Sequence, residues 1–416
     1  MNKNRLLITD WIDKLSAISN SSEPPPLSSE QEVSSRPFYE YFHDDSTSYH
    51  PDLYSFSSHL ELTEAGLVSG SGTVTRRKTW VWPTFSGWTS WEAVSGGQVG
   101  LHSLTGQITE NLLSGEVRLR FCNDLTFLLR IKSGSLHGLC LASFQDHLVW
   151  AGRYQEGLLT RSISLDWESG ALLSDQETYL YPDMLTALTG VWDRGRMVSA
   201  REAEVETLRL GDDDLPLIVC SPPTGPEYSF SPSGPDNFGP SDPQLCEPYE
   251  RKYIRVGRSG IEDSGEGVFA LTDLQPGSLA AVFNGYKVPL CSGGDPTAGL
   301  SSLEEVYERL AYNIHMPEDE NFYIDFPPSM ASLTVYRASL GHKVNHSFLP
   351  NSVFGTMFHP RWGRVRTVVT TSLVRAGEEI LVDYGYDLVR CPDWYRNMWT
   401  DTIGAKTGLN YLEYRK

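Results

Sequence analysis

A chain of 416 residues spans two to four domains at about 100–200 residues each, so a lone small module is excluded. With 53 acidic against 34 basic residues the net charge is −19, which argues against a duplex-DNA binder, because phosphate contacts need a basic surface. Hydrophobic content of 40% and aromatic content of 11% exclude a largely disordered chain.

Lys3, Arg5, Asp10, Asp13 and Lys14 interrupt the opening stretch, which therefore offers neither a signal-peptide apolar region nor a membrane span. Residues 10–19 are predicted as a short amphipathic helix with Trp11, Leu15 and Ile18 on one face, inside an otherwise flexible segment 1–57 that includes the Pro/Ser-rich run at 21–37. From about 58 to 215, short alternating runs such as Glu116–Phe121 and Thr126–Ile131 predict strands. Gly-containing turns are expected at Ser69–Gly72, Ser114-Gly115, His137-Gly138 and Glu156-Gly157, and the 23 residues from Gly115 to Gly138 suggest stacked β-hairpin repeats. Residues 216–247, rich in proline and glycine, are expected to be a linker. The acidity lies mainly ahead of Cys246, with 32 acidic and 17 basic residues there against 21 and 17 from it onward. Cys122, Cys140, Cys220, Cys246, Cys291 and Cys391 form no CxxC pair, so reduced thiols in a nuclear or cytosolic protein are expected.

The second half holds four ordered segments: Ser264-Gly265-Glu266-Gly267-Val268-Phe269, Ala281-Val282-Phe283-Asn284-Gly285, Gly341 through Asn351 (GHKVNHSFLPN), and Gly377 through Asp387 (GEEILVDYGYD). Each alone has an ordinary explanation. Gly-x-Gly is common in tight turns, Asn345-His346 could cap a polar turn, and Tyr384 and Tyr386 could cover a core edge. Their order is what carries the signal. No helix follows the glycines in the manner of a dinucleotide-binding fingerprint, so that fold is disfavoured.

The ordered set resembles the SET domain of protein lysine methyltransferases over residues 248–395, and the hairpin region resembles degenerate MORN repeats. The resemblance implies a mainly β chain: a stacked β-hairpin repeat domain, then a SET domain of several small sheets with a knot-like core, closed by a helical or aromatic segment at 396–416. It implies S-adenosylmethionine as methyl donor and no metal. In that pattern Tyr384 and Tyr386 are the catalytic tyrosines, Gly265, Glu266, Gly267, Asn345, His346 and Trp394 hold the cofactor, and Phe283, Phe354 and His342 line the substrate-lysine channel. Basic protein segments such as histone tails are the implied substrates, with no sequence-specific nucleic acid, no membrane, a monomeric state, and a nuclear location on chromatin with a share in the cytoplasm. Cys391 is the only cysteine after Cys291, which leaves no post-SET zinc cluster.

Phe283 and Phe354 stand where relatives of this architecture carry channel tyrosines. Loss of both hydroxyls loosens the pocket and predicts methylation beyond the first step or lower activity on the substrates of those relatives. Residues 286–330 show little alignable resemblance, so the peptide read by the enzyme stays open. The alternative reading is a catalytically weak interaction scaffold built on the same two folds.

Overall fold

The computed structural model describes residues 3–20, 245–289, 302–316 and 322–409, most of 101–231, and short strands within 33–76. Two compact units divide at Gly225/Pro226.

The first unit is an antiparallel meander. Strands Val68–Arg76, Leu101–Thr109, Leu112–Phe121, Leu125–Lys132, Gly138–Phe144, His147–Gln155 and Leu158–Leu165 pair each with the next. The order continues through Leu172–Ser174, Thr178–Leu180, Thr186–Asp193, Arg196–Leu210 and Pro216–Cys220. Period-two alternation gives this sheet two cores. Ala142 and Val149 belong to one, and their neighbours Leu141 and Leu148 belong to the other.

Helix Lys3–Asn20 covers the second core. Ile8, Trp11, Leu15 and Ser19 recur at the helical spacing and are all buried, whereas Ile18 is exposed. The expected helix therefore begins earlier and buries Ser19, whose hydroxyl meets Ser143 at 2.7 Å, in place of Ile18. Trp11 also donates its indole N–H to the Asp214 carbonyl at 2.7 Å. Residues 3–20 are thus a packed element, and the rest of the expected flexible segment lies largely outside the described residues.

The expected turn at Glu156-Gly157 is present, whereas Ser69–Gly72 and Ser114-Gly115 lie within strands. Gly70 and Gly72 lie inside Val68–Arg76, opposite Ile108 and Gly106. Two-residue turns are made by Gln145-Asp146 and Glu156-Gly157, all four residues at positive φ, a conformation whose twist matches the flanking strands. Part of the expected linker is also structured. Pro216–Cys220 pairs with Arg196–Leu210 and buries Ile218, because the run Leu217-Ile218-Val219 suits a pleated surface better than its flanking prolines oppose one. Leu245–Glu247 belongs to the second unit, and 232–244 lies outside the described residues.

The second unit is a set of small sheets. They are the hairpin Ile254–Arg258 with Glu266–Ala270, the three-stranded sheet of Leu279–Phe283, Gly363–Thr370 and Ser352–His359, and a third sheet of Tyr286–Pro289, Phe322–Asp325 and Ile314–His315. The parallel pair Asn345–His346 with Leu381–Val382 joins segments far apart in sequence. One core of Ile254, Val268, Ala280, Val344, Val368, Ile380 and Val382, with neighbours, packs beneath all but the third sheet. The chain is mainly β.

Replacing Trp11 with alanine removes a buried indole and its hydrogen bond, and is expected to lower the stability of the first unit by about 3–5 kcal/mol. Urea unfolding followed through that unit measures it, and an unchanged midpoint contradicts the helix packing.

Candidate active site

The parallel crossing places Asn345 and His346 beside the strand that leads into Tyr384. Register pairs Asn345 with Leu381 and His346 with Val382, and Ser347 N–H donates to the Val382 carbonyl at 2.9 Å. Two stretches nearly forty residues apart are thereby locked together.

Glu379 ties the glycine hairpin to this crossing. Its carboxylate accepts from Ser259 Oγ at 2.7 Å, Gly260 N–H at 3.0 Å and Asn345 Nδ2 at 3.0 Å. Asn345 Nδ2 also donates to the Glu266 carbonyl at 2.9 Å, and the Glu266 carboxylate pairs with Lys343 Nζ at 2.8 Å. A Cβ at Gly267 would overlap the Glu379 carboxylate, so the close approach that requires glycine there is made by the protein's own side chain. Gly265, at φ +67°, needs glycine for its turn and opens on free space. Gly265, Glu266, Gly267 and Asn345 are therefore brought together. Glu379 went unassigned in the sequence, where the pair Glu378-Glu379 hides which carboxylate turns inward. Glu378 accepts from its own turn at Arg375 N–H, whereas Glu379 faces the hairpin.

His346 sits in an aromatic shell. Its ring lies 4.3 Å from Phe348, 4.4 Å from Tyr395, 5.2 Å from Tyr384 and 6.3 Å from Trp394. Tyr384 N–H donates to His346 Nδ1 at 3.1 Å, which makes Nδ1 the acceptor and leaves the proton on Nε2. That buried Nε2 has no hydrogen-bond partner among the described residues. Burial pushes the imidazole pKa down to about 4, outweighing the opposing pull of Asp383.

The Tyr384 hydroxyl donates to the Val344 carbonyl at 2.9 Å. Burial, reinforced by Tyr386, Tyr312 and Glu379, raises its pKa, so this phenol is neutral at physiological pH. Tyr386, pushed up to about 12 chiefly by burial, packs 5.6 Å from Tyr384, 5.1 Å from Tyr395 and 6.4 Å from Trp394. Helix Asp393–Trp399 supplies the last two rings. Tyr395 is buried and donates its hydroxyl to Asp383 Oδ1 at 3.0 Å, while Trp394 remains 48% exposed. Tyr384, Tyr386, Asn345, His346 and Trp394 thus form one neighbourhood. The helical path continues through Thr400–Gly404 and Ala405–Thr407 to Gly408. Tyr411 and Tyr414 lie outside the described residues.

The three expected channel residues are more dispersed. Phe283 is opposite Arg366 and Phe354 opposite Val368, which sets both phenylalanines on one face of their sheet with Arg366 between them. The Arg366 guanidinium stands 5.6 Å over the Phe354 ring. Phe354 and Tyr384 pack against the same core. His342 lies in a different aromatic box, stacked on Phe326 at 4.1 Å with Tyr336 and Tyr312 edge-on, and burial pushes its pKa down to about 3. Tyr307, from the segment with little resemblance, packs 5.0 Å from Tyr386, a contact that no motif signalled.

Both histidines stay neutral in the folded protein while the unfolded chain takes up protons below about pH 6.5. Acid therefore favours unfolding, and their stability contribution, complete above pH 6.5, is lost as pH falls through about 4 for His346 and about 3 for His342. Imidazole resonances followed by NMR are expected to show both rings uncharged at pH 5.5, and a transition near 6.5 in either contradicts the burial.

No family model matches the chain. Histone-lysine N-methyltransferase SETD7 of Halocynthia roretzi is 31% identical over 287 residues, covering 66% of this chain and 67% of that protein. Among solved structures, a humanized mutant of the Chaetomium thermophilum Polycomb Repressive Complex 2 bound to the inhibitor GSK126 is 21% identical at a TM-score of 0.23, covering 32% of this chain and 15% of that one. The same complex in an autoinhibited conformation bound to S-adenosylmethionine is 18% identical at 0.23, covering 36% and 17%. Likenesses of that extent support no inference about this chain.

Proposed function

Because the chain belongs to the SET-domain protein lysine methyltransferases, of which its SETD7 relative is one, we propose that it transfers a methyl group from S-adenosylmethionine to lysine side chains of basic protein segments such as histone tails. The observation that carries this reading is the crossing that sets Tyr384 against Val344 and His346, with His346 Nε2 a buried donor lacking a partner among the described residues. The surrounding groups suit the cofactor as well. Gly265 opens on free space, the Glu266 carboxylate stands at the same hairpin, and the half-exposed Trp394 indole is available to cover an adenine. S-adenosylmethionine supplies an electrophilic methyl group on a sulfonium.

Tyr384 commits its proton to the Val344 carbonyl, so its oxygen retains lone pairs that accept weak CH···O contacts from a methyl group. Its raised pKa removes it as a general base at neutral pH. Desolvation among the tyrosine rings would lower the ordinary lysine pKa of about 10.4, so that the amine enters the site after giving its proton to solvent, and a bound sulfonium would favour the same neutral form. Tyr386 walls that path with an aromatic face that tolerates a cationic product. With phenylalanine at 283 and 354, no hydroxyl at those two positions restrains a methylated amine, which supports a second turnover on the same nitrogen. The acidic first half suits capture of Lys/Arg-rich substrates, at an affinity that weakens with salt. A monomer acting in the nucleus on chromatin, with a share in the cytoplasm, fits this substrate class.

Radiolabelled methyl transfer to histone peptides is expected with the wild-type chain and to fall by about 10²-fold in Tyr384→Phe, with cofactor binding kept. Equal turnover by that variant contradicts the role of Tyr384. Mass spectrometry of the peptide is expected to show dimethyl-lysine, and a product that stops at one methyl group contradicts the reading of Phe283 and Phe354.

A further inference from the structure

Residues 286–330 carry a short helix whose position is fixed from both ends. Leu303–Arg309 begins with a capping box, in which Ser302 Oγ accepts from Glu305 N–H at 3.1 Å and the Glu305 carboxylate accepts from Ser302 N–H at 3.3 Å. It ends with Arg309 held in a two-pronged pair by Asp325, at 3.4 and 3.2 Å. Asp325 is buried on the strand Phe322–Asp325, opposite Tyr286, so the helix is anchored to a sheet. Two residues before Arg309, Tyr307 is partly buried and packs its ring 5.0 Å from Tyr386 at 52°. Tyr386 meets Tyr384 on another side and Tyr395 and Trp394 on a third. Tyr307 is therefore a ring by which the described part of the segment joins the tyrosine array.

Resting on the methyltransferase reading above, we propose that Tyr307 forms the segment-side wall of the substrate-lysine channel and contacts the aliphatic stem of the incoming lysine. A lysine stem is four methylenes that bury against aromatic faces while the amine proceeds to the reacting end. Phe283 and Phe354 stand together on one sheet face, and the Tyr307 ring comes from a separate segment. Tyr307 offers an uncharged face next to Tyr386 and approaches from the opposite direction in sequence. Burial raises its phenol pKa, in keeping with a desolvated wall. The Arg309–Asp325 pair makes that wall rigid before substrate arrives, which favours binding by reducing the ordering cost.

The test is steady-state methyl transfer to a histone-tail peptide by the full chain and three variants, with S-adenosylmethionine binding measured calorimetrically on each. Tyr307→Ala is expected to raise KM for the peptide about five- to tenfold, the worth of one aromatic contact, with kcat and cofactor affinity near wild type. Tyr307→Phe keeps the ring and restores KM. Tyr307→Lys sets a cation in the wall and raises KM in a manner that salt relieves. An unchanged peptide KM in both the alanine and lysine variants, with an active wild type, overturns the assignment of Tyr307 while leaving the methyltransferase reading standing. A wild type that binds cofactor and transfers nothing overturns both.

Discussion

The carboxylate of Glu379 is where the second unit comes together. It accepts from the turn at Ser259 and Gly260 and from Asn345 on the crossing strand, so two segments from different parts of the chain share one acceptor carried by a third. A carboxylate with three donors is well satisfied, and charge-assisted bonds of this kind are worth more than neutral ones. The glycine at 267 exists to admit it. Without that contact the hairpin Ile254–Arg258 with Glu266–Ala270 loses its tie to Asn345, and Asn345 loses the fixed amide orientation that also holds the Glu266 carbonyl.

Asn351 secures the other side of the same strand. Its Nδ2 donates to the Glu379 carbonyl and its Oδ1 accepts from Leu381 N–H, so the backbone on either side of Ile380 is pinned. The parallel pairing of Asn345–His346 with Leu381–Val382 then delivers Tyr384 to His346 with a defined tautomer. Connectivity leaves His346 Nε2 without a hydrogen-bond partner among the described residues and lone pairs on the Tyr384 hydroxyl oxygen, with aromatic rings around both.

Contiguous motifs were readable from the sequence because their residues act together where they stand. GEGVF, GHKVNHSFLPN and the strand ending in Tyr384-Gly385-Tyr386 all reach one neighbourhood. Glu379 was hidden, since its partners lie up to 120 residues away and nothing local separates it from Glu378. Tyr307 was hidden for the same reason. In the first unit, alternation reveals the strands and glycine marks the turn at Glu156-Gly157, but the turn at Gln145-Asp146 carries no glycine because both residues accept positive φ where the strand twist demands it. The linker at 216–220 was misjudged by proline content, which the apolar run Leu217-Ile218-Val219 overrides once Arg196–Leu210 is there to pair with it.

Calorimetric titration of S-adenosylmethionine into wild type and Glu379→Ala measures the coupling between Glu379 and the proposed cofactor site. Binding by the wild type and a loss of at least about tenfold in affinity in the folded variant are predicted, since the half-buried Asn345 amide loses one of its two acceptors and the Ser259-Gly260 turn loses its own. Equal affinity in the two proteins, or no binding by the wild type, contradicts it.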